Sequence, residues 1–455
     1  MSVLSPACCE PRSAELADQL PTLLLCPPGR CTYQRDNYCS HRAKGRYYWY
    51  PYDLVVQSGF MAAIGPLEVL DATALGLDPE ATLRRIAESR YRAVLALIGG
   101  LSWSEDTSFL ERLPTVTGAP LHVTGDVPRF HAQRTLATLP FVDGVLLDYR
   151  SPALADHLAT GGSGGAPGLC RRGERAQTAH PPMPGFSIPI PRWDLFPPRL
   201  YSLPFARRSP FASVAASFGC PHSCRFCTAV HLPYARRDRD NLFQELHFLR
   251  RQGYREIHFK DLSFGVDRDH YLEILERMLK EGLDLSFNCL ARADDLDLEL
   301  LRLMRRAGCH LVHIGVETAS EQSLKRVGKR ESQEQITAAI VRCRQAGIRV
   351  LASYVLGFPW EDPADIERTI ELAVRLDTDF ASFNRFVQRD VWPDDAGATQ
   401  ASPDSGLDRI EHRAYRRFYF RPTYLVRQLA RVHSLDQLRL GLVNGARLFR
   451  DHFAA

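Results

Sequence analysis

The chain has 455 residues, 45% apolar and 24% charged, which is ordinary globular usage and excludes a collagen-like or largely disordered polypeptide. Its 57 Lys and Arg against 53 Asp and Glu leave a net charge of +4, too mild and too interspersed to build a nucleic-acid-binding surface. No stretch reaches the roughly 20 apolar residues of a membrane-spanning helix, and Met1 to Leu20 lacks an export signal's apolar core. The expectation is a soluble cytoplasmic protein whose 12 cysteines read as thiols or metal ligands before disulfides.

Residues 1–20 have no periodicity and read as loose. Short apolar runs then alternate with amphipathic stretches. Strands are expected at Thr22–Cys26, Leu67–Asp71, Ala93–Ile98, Pro120–Val123 and Gly144–Asp148, and helices at Asp53–Ile64 and Pro79–Ser89. Such alternation predicts a parallel sheet covered on both faces, a Rossmann-like domain over residues 21–155. Ligands on such sheets sit beyond the carboxyl ends of the strands, here near Pro27, Asp71, Gly99, Gly100 and Thr124 to Asp126.

Composition changes over residues 156–210, where Gly161–Gly168 reads as a flexible linker and Pro181–Pro204 as an extended run. A second alternating series occupies residues 211–388. Its strands are expected at Ala212–Ser217, Glu256–Lys260, Asp284–Cys289, Leu311–Gly315, Arg349–Leu356 and Phe380–Phe386. Helices fall between them, with Gly253, Gly282, Gly308 and Gly347 at their C-terminal caps. Six β/α units are too few for the eight-unit barrel, so a partial (β/α)6 barrel is expected. Residues 389–455 read as an Arg-rich helical tail, either a solvated face or a lid.

The firmest chemical signal is Ser217-Phe-Gly-Cys-Pro-His-Ser-Cys-Arg-Phe-Cys-Thr228, at the end of the first strand of the second series. Its C-x3-C-x2-C spacing lets Cys220, Cys224 and Cys227 converge on one metal centre without an evident fourth protein ligand. A zinc site is the alternative reading, with His231 as its fourth ligand, since His222 is too close in sequence. Cys8, Cys9, Cys26, Cys31 and Cys39 match no ligand pattern, and Cys289, Cys309 and Cys343 read as packing residues.

The cysteine loop resembles the signature of the radical S-adenosylmethionine (SAM) superfamily. Later segments resemble motifs of its subfamily with an N-terminal cobalamin-binding-type domain: His258–Phe264, Asn288–Asp294, His313–Glu321 with Leu324–Lys329, and Tyr354–Glu361. The resemblance implies that the three cysteines carry a 4Fe-4S cluster whose open iron chelates SAM. It also implies cofactor contacts from Phe226, beside the adenine, and from Asp261, Arg292, Glu317 and Gly357. In the first domain Pro27-Pro28, Tyr48–Val55 and Leu67–Asp71 are similar to the cobalamin-binding domain, but the D-x-H-x-x-G loop is absent, which leaves cobalamin open.

By the same resemblance, the expected reaction is reductive cleavage of SAM and hydrogen abstraction from a small-molecule, natural-product substrate, as in antibiotic biosynthesis. The outcome is either methyl transfer or dehydration and rearrangement, the latter as in cobalamin-independent relatives that dehydrate aminoglycoside-type sugars. For dehydration, Lys260, Asp261, Glu317 and Glu321 are the candidate proton donors to a leaving hydroxyl. A flavodoxin or ferredoxin would supply electrons. A zinc-binding scaffold or regulatory protein is the reading from another class.

Overall fold

Apolar runs bounded by proline and glycine become parallel strands in the computed structural model, which describes residues 19–38, 40–43, 47–162, 167–174, 185–387 and 406–430. The described residues fall into two units. One is drawn from Met1–Arg42, Pro51–Pro181 and Ile188–Leu200, the other from Ala43–Tyr50, Pro182–Ser187 and Tyr201 onward.

In the first unit β1 (Thr22–Cys26) is followed by α1 (Tyr52–Ala62), β2 (Leu67–Asp71), α2 (Pro79–Ala87), β3 (Ala93–Leu97) and α3 (Trp103–Leu110). Next come β4 (Leu121–Thr124), α4 (Ala132–Thr138), β5 (Gly144–Leu146), α5 (Ala153–Ala159) and β6 (Leu169–Arg171). The sheet order is β2-β1-β3-β4-β5-β6, parallel up to β5. Every residue of β1 and β3 is buried, as a strand covered on both faces requires. Asp78 starts α2 by accepting from Ala81 N, with Pro79 at the first helical position.

Two expectations for residues 156–210 are corrected. Leu169–Arg171 is not linker but the sixth strand, pairing antiparallel with β5. Within the proline-rich run, Trp193 and Phe196 are 2% and 0% exposed, so their rings bury a segment that proline spacing alone would leave on the surface.

The second unit carries β7 (Phe211–Val214), α6 (Arg239–Arg251), β8 (Glu256–Phe259), α7 (Arg268–Lys280), β9 (Ser286–Ala291), α8 (Leu298–Arg306), β10 (Cys309–Glu317), α9 (Gln333–Gln345), β11 (Arg349–Leu356), α10 (Pro363–Leu376) and β12 (Phe380–Arg385). The six strands pair in sequential order, all parallel, giving the expected (β/α)6 arrangement. Gly253, Gly282, Gly308 and Gly347 close α6, α7, α8 and α9 with positive φ.

The first barrel strand is shorter than expected. The chain leaves β7 after Val214, and Ser217–Phe218 pairs instead with Ala235–Arg237, which also pairs with Gly185–Phe186. This small sheet ties both ends of the cysteine loop. After the barrel come α11 (Leu407–Tyr419) and α12 (Pro422–Ala430). The rest of the expected helical tail lies outside the described residues.

Candidate active site at the barrel mouth

The cysteine loop is held from within and from the far side of the barrel. Gly219 sits at φ 71°, and a Cβ there would lie 2.3 Å from the carbonyl oxygen of Pro233, so only glycine allows the two ends of the loop to close. Cys220 N donates to Leu232 O at 3.3 Å, Cys227 N to Cys224 O at 3.0 Å, and Arg225 N to Val327 O at 2.8 Å. Cys220, Cys224 and Cys227 are reduced and half-buried. Burial pushes the Cys220 and Cys224 thiols up, while the charges of Arg292 and Lys329 pull Cys224 back. Among the described residues, no three His, Cys, Asp or Glu side chains are gathered closely enough to hold a single metal ion.

A network of charges meets the loop. Arg292, just past the end of β9, donates Nε and Nη2 to Asp294 at 2.9 and 2.8 Å, and its Nη1 stands 3.6 Å from Cys224 Sγ. Glu331 accepts from the backbone of Ala293 at 2.6 Å and Asp294 at 3.1 Å, and its other oxygen lies 3.4 Å from Arg292 Nη2 and 3.3 Å from Lys329 Nζ. Lys329 in turn donates to Glu317 at 2.9 Å and to Gly315 O at 2.5 Å. Burial works against the Lys329 charge, but Glu317 and Glu331 hold its pKa above the usual lysine range. Gly315 makes the approach feasible, since a Cβ there would lie 2.1 Å from Glu317 Oε1. Glu317 ends β10 at φ 64°, a conformation that costs a residue with a Cβ about 1 kcal/mol or more.

The expected residues therefore separate. Cys224, Arg292 and Glu317 are joined through Lys329 and Glu331. Phe226 meets Phe358, the residue after Gly357, edge-on, with centroids 6.1 Å apart. The Asp261 carboxylate is fully buried and accepts from Ala216 N at 3.0 Å, Ser217 Oγ at 2.7 Å and Tyr271 OH at 2.7 Å. It fastens the base of the cysteine loop to β8, and burial pushes its carboxyl up. Glu321 stands apart from these residues. It is exposed, accepts from Gln333 N at 2.7 Å, and lines a groove between α9 and α10. Lys260 is buried at the end of β8.

Lys329 and Glu331 are functional candidates that the sequence does not single out. Lys329 closes the Leu324–Lys329 motif, but Gly-Lys-Arg-Glu before a helix cap reads as a solvated charge run.

In the first unit the strand ends are filled by the chain itself. Asp106 accepts from Gly99 N at 3.0 Å and pairs with Arg35 at 2.7 Å, both side chains fully buried. Asp126 accepts from Gly100 N at 2.8 Å and Ser40 N at 2.7 Å. The amides of Gly99 and Gly100 are thus spent internally. Other groups are not: the side-chain amide of Asn37, Gln57 Oε1 and all three guanidinium nitrogens of Arg129 are buried without hydrogen-bond partners.

Residues 214–373 match the family model of the Radical SAM superfamily. A protein described as an uncharacterized methyltransferase of Pyrococcus horikoshii is 28% identical over 359 residues, covering 71% of this chain and 76% of that one. The radical SAM methyltransferase TsrM from Kitasatospora setae superposes with a TM-score of 0.62 at 18% identity, covering 80% of this chain and 72% of its own. The cobalamin-dependent SAM radical enzyme OxsB gives 0.60 at 15% identity, covering 84% of this chain and 55% of its own. The β7–β12 barrel is a radical SAM domain, the catalytic part of enzymes that work with a 4Fe-4S cluster and SAM. The chain thus carries the catalytic domain of radical SAM enzymes, and its Rossmann-like unit ahead of a six-stranded barrel has the fold of TsrM and OxsB. Among the described residues no helix is long and apolar enough to cross a membrane.

Proposed function

We propose that Cys220, Cys224 and Cys227 hold the 4Fe-4S cluster, that SAM binds over the carboxyl ends of β8 to β11, and that the enzyme methylates a small-molecule natural product with the help of cobalamin. The observation that carries the reading is the cysteine loop itself: three reduced thiols on one tied loop, with the Arg292 guanidinium 3.6 Å from one of them. A cubane cluster places its three thiolates on different irons, so it does not ask them to converge on one ion as zinc would. When bound, such a cluster supplies one electron to SAM at its open iron.

The chain's own part is to hold, orient and exclude water. Phe226 and Phe358 form an apolar wall suited to an adenine face. The Glu317 carboxylate, fixed by Lys329, is placed to accept from SAM's polar groups. Lys260, buried at the end of β8, is kept as a candidate for moving a proton.

Cobalamin is assigned to the first unit. The unpartnered side-chain amide of Asn37, Gln57 Oε1 and the Arg129 guanidinium leave hydrogen-bonding capacity there that the chain does not meet. With no D-x-H-x-x-G loop, this chain would hold the cofactor without that histidine ligand. Methyl transfer is favoured over dehydration because the relative from Pyrococcus horikoshii and TsrM are both described as methyltransferases. The electron donor would be a flavodoxin or ferredoxin.

The test is anaerobic purification with cobalamin supplied, then incubation with SAM labelled in its methyl group, reductant and candidate acceptors. A cobalamin absorption spectrum and label in the acceptor are expected. A colourless zinc protein would reject the reading, and a cluster-loaded protein that never retains cobalamin would replace methyl transfer with dehydration or rearrangement.

A further inference from the structure

Resemblance makes Arg292 a SAM contact, but its geometry commits it elsewhere. Its side chain is 9% exposed. The edge carrying Nε and Nη2 lies against the two oxygens of Asp294 at 2.9 and 2.8 Å, which uses one side of the planar fork. Glu331, whose side chain is 0% exposed, stands 3.4 Å from Nη2 and holds the turn by accepting from Ala293 N and Asp294 N. A fork fixed along one edge cannot swing, so the direction of Nη1 is set by these two acids. That direction ends on Cys224 Sγ at 3.6 Å, within reach of an N–H···S hydrogen bond.

We propose that Arg292 is a redox-positioning residue, donating a charge-assisted hydrogen bond from Nη1 to the Cys224 thiolate and thereby setting the reduction potential of the cluster. The inference rests on the reading that Cys224 ligates that cluster. One-electron reduction, by dithionite or a low-potential protein donor that is itself oxidised, adds one negative charge to the iron, sulfide and thiolates. A cationic donor on a thiolate stabilises that extra charge, so it favours the reduced form and raises the potential. Asp294 and Glu331 aim the guanidinium. Lys329, held between Glu331 and Glu317, extends the same lock from β10.

The test is a potentiometric titration of the anaerobically reconstituted full chain without SAM, monitored by electron paramagnetic resonance, for wild type, R292Q, R292K and D294N. Iron and acid-labile sulfide are measured in the same samples. In R292Q the equilibrium constant for reduction should fall at least tenfold, about 59 mV more negative for one electron, with iron content unchanged. D294N, which releases the fork, should shift in the same direction by less, and R292K, which keeps the charge without the fork, should fall between wild type and R292Q. A fully loaded R292Q with the wild-type potential overturns the proposal. Should R292Q not load, unchanged potentials in both R292K and D294N overturn it equally. A wild-type chain that takes up no cluster removes the underlying reading, a result distinct from an unchanged potential.

Discussion

The three cysteines are legible in the sequence because their ligand pattern is contiguous and their spacing has few uses. The acids and cations around them are not, because Lys329 meets Glu317 from 12 residues away, across a short helix, and Glu331 meets a strand end 38 residues away. Only the fold makes those charges neighbours, and burial makes them consequential. Lys329→Met would leave Glu317 and Glu331 without the cation between them, so a loss of about 3–5 kcal/mol in denaturant unfolding is expected. A loss under about 1 kcal/mol would show that the pair is solvated. Gly219→Ala, placing a Cβ 2.3 Å from Pro233 O, is expected to open the loop and abolish iron uptake while the far-ultraviolet circular dichroism stays close to wild type. Asp261 misleads for the opposite reason. Its position in the motif is that of a ligand contact, yet three donors already surround it.

At the scale of elements, periodicity places β1, β2 and β11 at their observed ends, since apolar runs there stop at proline, glycine or a capping aspartate. It does not find β6, whose three residues come after a glycine-rich stretch and pair only because β5 offers an open edge. The Arg-rich helix α11, by composition a solvated face or a lid, has a second face. Tyr415 OH accepts from Phe383 N at 3.2 Å, and Tyr419 OH accepts from Ala381 N at 2.9 Å and donates to Ala381 O at 2.8 Å. Residues four apart on a helix thus serve residues two apart on β12, and an exposed sheet edge is covered. Replacing both tyrosines by phenylalanine would leave those groups unmet, and hydrogen exchange at Ala381 and Phe383 should rise by a factor of about ten or more. In the first unit, burial and then His157 hold the pKa of His122, on β4, down to about 3 from the ordinary 6.5. Between those values the unfolded chain binds a proton that the folded unit refuses, so stability present above pH 6.5 is lost as pH falls toward 3, by about 1.4 kcal/mol per unit of pKa difference. Urea unfolding of His122→Asn should show a flatter acid limb over that window than wild type.

For the whole molecule, alternation of strands and helices makes both α/β units legible, because parallel sheets buried on two faces leave unbroken apolar runs. The substrate stays hidden, since no motif marks the residues that would meet it. The proposed chemistry depends throughout on Cys220, Cys224 and Cys227 carrying a cluster that SAM approaches directly. Electron paramagnetic resonance of the dithionite-reduced, anaerobically reconstituted protein, with and without SAM, tests this. The predicted result is a 4Fe-4S signal whose shape changes on adding SAM and which is missing when the three cysteines are replaced by alanine. A signal indifferent to SAM, or one that survives in the triple variant, would contradict it.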